Sequence, residues 1–297
     1  MPQDFHFNSI TVDTLSLPLL SEKKVMASVL RLDKIHPLVS GNKWFKLRYY
    51  LQEAKEQQKK IIVTFGGAWS NHILATAAAC KINQLDCIGI IRGEEAATLS
   101  PTLIQAKELG MQLIFISRED YAKKKIPEEI NQEEHYFINE GGYGILGVDG
   151  AATILGYCEK ENYTHICCAV GTGTMMAGII KSTSPQQQII GISVLKNNMK
   201  LETSVQLLLN PEATNFTIIH DYHFGGYAKH KPVLIDFINT FYQLTKIPAD
   251  FVYTGKLFYA ITNLINTDFF RPGSRLLLVH SGGLQGNSSL SNGTLIF

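Results

Sequence analysis

The sequence carries almost no net charge: 27 Lys and Arg against 26 Asp and Glu leave +1 over 297 residues. Bulk charge therefore offers nothing to draw nucleic acid or an anionic membrane, and neither is expected as a partner. Cysteine is scarce and odd in number. Cys80, Cys87, Cys158, Cys167 and Cys168 contain no C-x-x-C and fall mostly in apolar runs, which argues against a disulfide framework and for a reduced, cytoplasmic setting. No apolar run reaches the roughly 18 residues of a membrane span. The first ten residues, MPQDFHFNSI, lack the basic and then apolar order of a leader. Nine histidines are present without H-E-x-x-H, and His220 and His223 form no recognised ligand set, so no catalytic metal is expected.

What the chain does have is glycine in clusters. Its 24 glycines are an ordinary total, but doublets stand at 66–67, 141–142, 225–226 and 282–283, and Gly171-Thr172-Gly173-Thr174 adds a fifth cluster. Such clusters suggest an enzyme whose backbone approaches a ligand closely at several points. Around them, continuous apolar runs at 61–65, 86–92, 112–118, 135–139, 164–170, 189–195, 215–220 and 275–280 read as strands covered on both faces. They alternate with helical stretches such as LATAAACKI and PTLIQAKELG, the second closed by Gly110. Before them VMASVLRLD reads as a strand and WFKLRYYLQEAKEQQKK as a helix. The alternation predicts βαβ units in two lobes, with the glycine-rich stretch 141–150 as the return between them. Chemistry is then sought at the strand-to-helix turns.

Three such turns stand out. THICCAV-GTGT-MMAGIIK runs from strand through a Gly/Thr turn into a helix, which aims free N–H groups at one spot and suits a single phosphate. The dinucleotide G-x-G-x-x-G is absent because the glycine after Gly173 comes only at Gly178, and no Lys-Ser/Thr pair stands directly after Gly178 to make an ATP-binding loop. A tight turn without a ligand reads the same way. IIVTF-GGAW-SNH presents Ser70, Asn71 and His72 at a helix start, where simple capping is the competing account. SGNKWFKL opens a long helix with Lys43, a position where an apolar wall would disfavour the ammonium form. Lys256 in VYTGK is a competing lysine that its context does not exclude.

In the order SGNKWFKL, GGAWSNH, GTGT, VYTGK, HSGG, these motifs resemble the fold-type II, tryptophan-synthase-β-like family of pyridoxal-phosphate enzymes. The branch they resemble is that of 1-aminocyclopropane-1-carboxylate deaminase and D-cysteine desulfhydrase, over roughly residues 25 to 286. The resemblance implies a two-domain, three-layer α/β/α architecture with mostly parallel twisted sheets. Residues 1–44 with 151–297 would form the large cofactor-binding domain and 45–150 a small mobile one, with the active site in the cleft between them. It implies pyridoxal 5'-phosphate as cofactor, a small amino acid as substrate, and a homodimer.

By the same resemblance Lys43 is the Schiff-base lysine, Ser70 lies beside the substrate carboxylate and Asn71 meets the cofactor's phenolic oxygen. Gly171, Thr172, Gly173, Thr174 and Met175 cradle the phosphate. His72 and Trp69 border the substrate, while Tyr253 and Tyr227 flank the ring and assist proton transfer. The family usually has Gln where Trp69 stands, and G-[ST]-G-G-T where this chain has Gly171 to Met175. Deaminases that open the cyclopropane ring usually carry Glu and Leu where this chain has Thr254 and Ser281, and desulfhydrases carry hydroxyls there. A hydroxyl at Ser281 can hydrogen-bond the pyridine nitrogen without protonating it. The expected activity is therefore β-elimination of the D-cysteine desulfhydrase kind, giving a 2-oxo acid, ammonium and sulfide. The ring-opening deaminase is the first alternative, and a non-catalytic module binding a phosphorylated metabolite is the second.

Overall fold

Strands gather into two separate sheets in the computed structural model, which describes residues 5–131, 133–211 and 213–297. In chain order the larger sheet uses β1 (Val12–Thr14) and β2 (Met26–Arg31), and the smaller one β3 (Ile61–Gly66), β4 (Asp86–Arg92), β5 (Gln112–Ile116) and β6 (His135–Ile138). The chain then returns to the larger sheet with β7 (His165–Val170), β8 (Gln188–Ser193), β9 (Phe216–Ile219) and β10 (Arg275–His280). The strand orders are β1-β2-β10-β7-β8-β9 and β5-β4-β3-β6. Every pairing is parallel except β1 with β2. Residues 1–4, the start of the expected large domain, lie outside the described residues.

The apolar runs divide their side chains between two layers, as a sheet covered on both faces requires. On β7, Ile166, Cys168 and Val170 join one core cluster and Cys167 and Ala169 another; β10 splits its leucines in the same way. The first core lies under α2 (Asn42–Glu56), α6 (Ile145–Ala152) and α7 (Thr174–Ser182), and the second under α1 (Pro18–Glu22), α9 (Pro232–Thr245) and α10 (Thr254–Asn266). The small sheet does likewise. α3 (Asn71–Ile82) and α4 (Pro101–Glu108) cover one face, while α5 (Arg118–Ala122) brings Tyr121 onto Val63, Phe65 and Ile90 on the other. One further short helix, α8 (Leu201–Gln206), packs Val205 beside the start of α7. This is the expected layered α/β architecture with mostly parallel sheets.

The glycine-rich stretch 141–150, which lies between the last strand of the small sheet and the next strand of the large one, is mostly helical. It enters a short helical turn at Glu140–Gly142 and then forms most of α6. The glycines there serve close packing: a side-chain carbon at Gly150 would stand 1.8 Å from the Phe45 carbonyl oxygen. α6 can therefore lie directly on α2. The strand reading at 112–118 is also too long, because Ser117 turns to accept from the Asp120 amide and starts α5.

Candidate active site

The carboxyl ends of β3, β4 and β7 and the first turn of α2 border one cavity of about 510 Å³. A parallel sheet places its strand-to-helix turns at that end, so turns far apart in sequence meet there.

Lys43 and Lys46 enter the cavity from α2, one helical turn apart. Their amines lie close enough to influence each other's charge. Burial disfavours both ammonium forms: Lys43 is lowered to about 8, and Lys46 falls well below the usual lysine value by burial and the charge of Lys43 beside it. Lys46 is 3 % exposed, unusual for a lysine without a carboxylate partner.

From β3 into α3 the chain presents Trp69, Ser70, Asn71 and His72 to the same cavity. Ser70 caps α3, its oxygen accepting from the His72 amide at 3.2 Å and the Ile73 amide at 3.4 Å. The cap and the site are thus the same residue, and its hydroxyl proton stays free to donate. His72 is held as a neutral ring. Thr64 Oγ1 donates to the Ile138 carbonyl at 2.8 Å and lies 2.9 Å from His72 Nε2, so it accepts from that nitrogen and leaves Nδ1 bare. Burial, then Lys43 and Lys46, push the imidazole pKa well down. Both His72 Nδ1 and Asn71 Oδ1 are buried with no partner among the described residues.

From β7 into α7, Gly171, Thr172, Gly173 and Met175 line the cavity. Gly173 starts α7 with φ of +87°, and no side chain caps that helix. Its first N–H groups are left for a ligand. Thr174 is buried behind this wall, with Oγ1 3.2 Å from Thr172 Oγ1.

Tyr253 and Tyr227 complete the wall, their ring centroids 6.1 Å apart at 72°. Burial, with the Tyr227 phenol beside it, raises the Tyr253 phenol well above its usual value.

Besides Thr174, two expected cofactor residues, Thr254 and Ser281, are not among those lining the cavity. Thr254 spends its hydroxyl on Asp250 Oδ2 at 2.6 Å and accepts the Asp250 amide at 2.8 Å. Ser281 follows β10 and is buried beside Gly41, its carbonyl accepting the Asn42 amide at 3.1 Å. Its hydroxyl makes no hydrogen bond among the described residues. The competing lysine, Lys256, also has a depressed amine, lowered to about 8 by burial, so basicity does not choose between the two. Position does. Lys256 Nζ donates to the Gly226 carbonyl at 2.8 Å and does not line the cavity, whereas Lys43 does.

Lys46, Arg92, Glu140 and Asp250 were not singled out in the sequence. Lys46 had one available signal, its three-residue spacing from Lys43 on one helix face. Arg92 and Glu140 line the cavity at its small-sheet side. Asp250, fully buried, accepts from the amides of Val252, Tyr253 and Thr254 at 2.7 to 2.9 Å, and so builds the turn that carries Tyr253. Its carboxyl pKa is raised by burial.

The family model for pyridoxal-phosphate dependent enzymes matches residues 12–282 of this chain. The bifunctional D-cysteine desulfhydrase/1-aminocyclopropane-1-carboxylate deaminase of Arabidopsis thaliana is 27% identical, covering 84% of this chain and 70% of that protein. The D-cysteine desulfhydrase of Klebsiella pneumoniae is 26% identical over 90% of each. Among solved structures, an ACC deaminase homologue superposes with a TM-score of 0.80 at 26% identity, covering 94% of this chain and 90% of that one. Among the described residues no helix is long and apolar enough to cross a membrane, and no cluster of His, Cys, Asp or Glu could hold a metal ion.

Proposed function

The chain belongs to the pyridoxal-phosphate-dependent enzymes, and we propose that it acts as a lyase of the D-cysteine desulfhydrase kind, converting a small β-substituted amino acid to a 2-oxo acid and ammonium. The observation that carries this reading is the position of Lys43, an amine lowered to about 8 in the cavity that the phosphate-suited turn and the Ser70–Asn71 helix start also border.

The residues present fit the cofactor. The uncapped start of α7 and the buried, unpaired Lys46 suit a phosphate, and Asn71, with its orphaned oxygen, suits a polar ring substituent. Gly171 packs so close to Tyr253 that a side-chain carbon would stand 3.3 Å from its ring, which keeps the loop's backbone open to a ligand. When bound, pyridoxal phosphate supplies an aldehyde for amines and a ring that takes up the electron pair left by a departing α-proton.

The remaining work falls to side chains of this chain. Lys43 Nζ, whose neutral amine is favoured by burial, accepts the α-proton. Ser70 Oγ, already aligned by the two amides it caps, donates its free proton to the substrate carboxylate, and the start of α3 favours that negative charge. The Tyr253 hydroxyl keeps its proton at working pH and can donate it to the departing group or to the product carbon. Thr254 already gives its hydroxyl to Asp250, so Ser281, whose hydroxyl has no partner among the described residues, would be the one to meet the pyridine nitrogen.

A hydroxyl at Ser281, in place of the leucine usual in the ring-opening deaminases, favours elimination over ring opening. Sulfide and pyruvate release from D-cysteine supports the proposal, whereas 2-oxobutanoate from 1-aminocyclopropane-1-carboxylate without sulfide from D-cysteine would assign the alternative activity. The same proposal includes a cytosolic homodimer, and a small unit at residues 45–150 that moves against 1–44 and 151–297. The five unpaired cysteines are consistent with the reducing compartment. Sedimentation of the purified protein tests the dimer.

A further inference from the structure

We propose that Arg92 is a specificity-determining residue that receives an oxyanion at the end of the substrate's side chain, so that the preferred substrates are amino acids with an acidic β-substituent. This rests on the reading of the cavity as an amino-acid site and adds the class of side chain it takes.

Arg92 is the last residue of β4, beside the end of β3 in a parallel pairing that aligns Gly66 with Ile91. It lines the cavity, with Nη2 3.6 Å from the point where a side-chain carbon on Gly67 would stand. Its guanidinium carbon lies 5.8 Å from the centroid of the Tyr121 ring. No carboxylate pairs with it among the described residues. Glu140, the acid among the lining residues, is already engaged: its Oε2 accepts from Lys124 Nζ at 2.6 Å. Three basic side chains, Lys43, Lys46 and Arg92, therefore face the cavity against one neutralised acid.

Two of the three have an assignment. Lys46 and the start of α7 suit the phosphate, and Lys43 is the proton acceptor, with Ser70 and the start of α3 for the substrate's α-carboxylate. Arg92 is left without an anion. It also stands where a substrate would extend. Arg92, an exposed side chain, borders with Ala68 and Trp69 both the main cavity and an adjoining recess of about 380 Å³, whose other lining residues include Leu99, Ser100 and Phe115 and one exposed acid, Glu94. A side chain running past Cβ toward that recess meets the guanidinium.

The position suits the chemistry. When the Cα–H bond breaks, its proton goes to the Lys43 amine and its electron pair forms the Cα–Cβ double bond, while the Cβ–X bond breaks with its pair going to X. A planar guanidinium, always charged and able to hold two oxygens at once, stabilises a phosphate, sulfonate or carboxylate on X as charge grows there.

The test is calorimetry on the full protein loaded with pyridoxal phosphate, using 2-amino-3-phosphonopropanoate as the acidic probe and alanine as the neutral reference. The native protein should bind the acidic probe at least roughly ten-fold tighter than alanine, the effect of one charge-assisted pair. Arg92→Gln should bring that ratio close to one, and Arg92→Lys should keep part of it. A ratio near one in the native protein overturns the proposal. So does an unchanged ratio in Arg92→Gln, including equal weakening of both ligands, which would place Arg92 on the α-carboxylate. Because binding heat needs no turnover, failure of the lyase reading is seen separately, as absence of 2-oxo acid from both O-phosphoserine and the neutral β-chloroalanine.

Discussion

Lys43 and Lys46 stand one turn apart at the start of α2, their amines side by side at the same cavity, Lys46 buried and Lys43 half-buried. Two such amines with no carboxylate to neutralise them are costly, and the fold retains them where the turns that suit an anion converge. The pair divides the labour of the site: one amine for the reacting carbon, the other for the phosphate.

That burial has a consequence for stability. Lys43 titrates near 8 in the fold and near 10.4 when unfolded, so between those values the unfolded chain binds the extra proton and native stability gains with rising pH. Buried Cys167 and Cys168, raised by burial, pull the other way, so the comparison must be with a variant. Cofactor-free Lys43→Met should be more stable than the native protein at pH 7, and the margin should shrink toward pH 10. Thermal unfolding of the two proteins across that range checks it, and a constant margin would contradict the depressed amine.

Ser70 serves as cap and as ligand, and the two can be separated. Ser70→Ala should lose about 1 kcal/mol of stability, within the usual cost of a cap, and also raise KM. Ser70→Asp restores the cap acceptor but places a charge against the substrate carboxylate. It should recover most of the lost Tm while KM stays high. Melting curves and steady-state kinetics on both variants give the answer.

The phosphate turn depends on a left-handed residue. At Gly173 φ is +87°, and a side-chain carbon would stand 2.7 Å from Val205 Cγ2. Gly173→Ala should cost on the order of 1 to 3 kcal/mol and weaken pyridoxal phosphate binding, because the strained turn re-aims the first amides of α7. Cofactor titration followed by absorbance measures the second effect.

Tyr253 holds its proton because burial and Tyr227 disfavour the phenolate. Tyr253→Phe keeps the ring and removes the donor. It should lower kcat on the order of 10²-fold, a usual general-acid contribution, with cofactor affinity little changed. Tyr227→Phe, which only removes the neighbouring hydroxyl, should have a smaller effect. Equal losses in the two variants would mean that the pair acts as one unit.

Much of this was legible in the sequence because the parallel sheets write themselves as continuous apolar runs. The strands at 86–92 and 275–280 were delimited from such runs alone. The site turns were legible because each joined a strand to a helix through Gly, Ser or Asn. The three-residue β1 was missed because its alternation is too short to read. α6 was hidden by glycines that look like loop until Phe45 is seen against Gly150. Lys46 looked like any lysine on an amphipathic helix, and only the packing of Gly142 and His72 around it reveals its burial. Asp250 could not be assigned because its four donors lie within its own turn and carry no motif.

The central claim is that Lys43, and not another lysine, carries the cofactor. Incubation with pyridoxal phosphate, borohydride reduction and peptide mass analysis of the native protein tests it directly. The account predicts a single reduced adduct on the peptide containing Lys43, absent in Lys43→Ala together with the visible absorbance band. An adduct on Lys256 or Lys46 in the native protein, or a band that persists in Lys43→Ala, would contradict it.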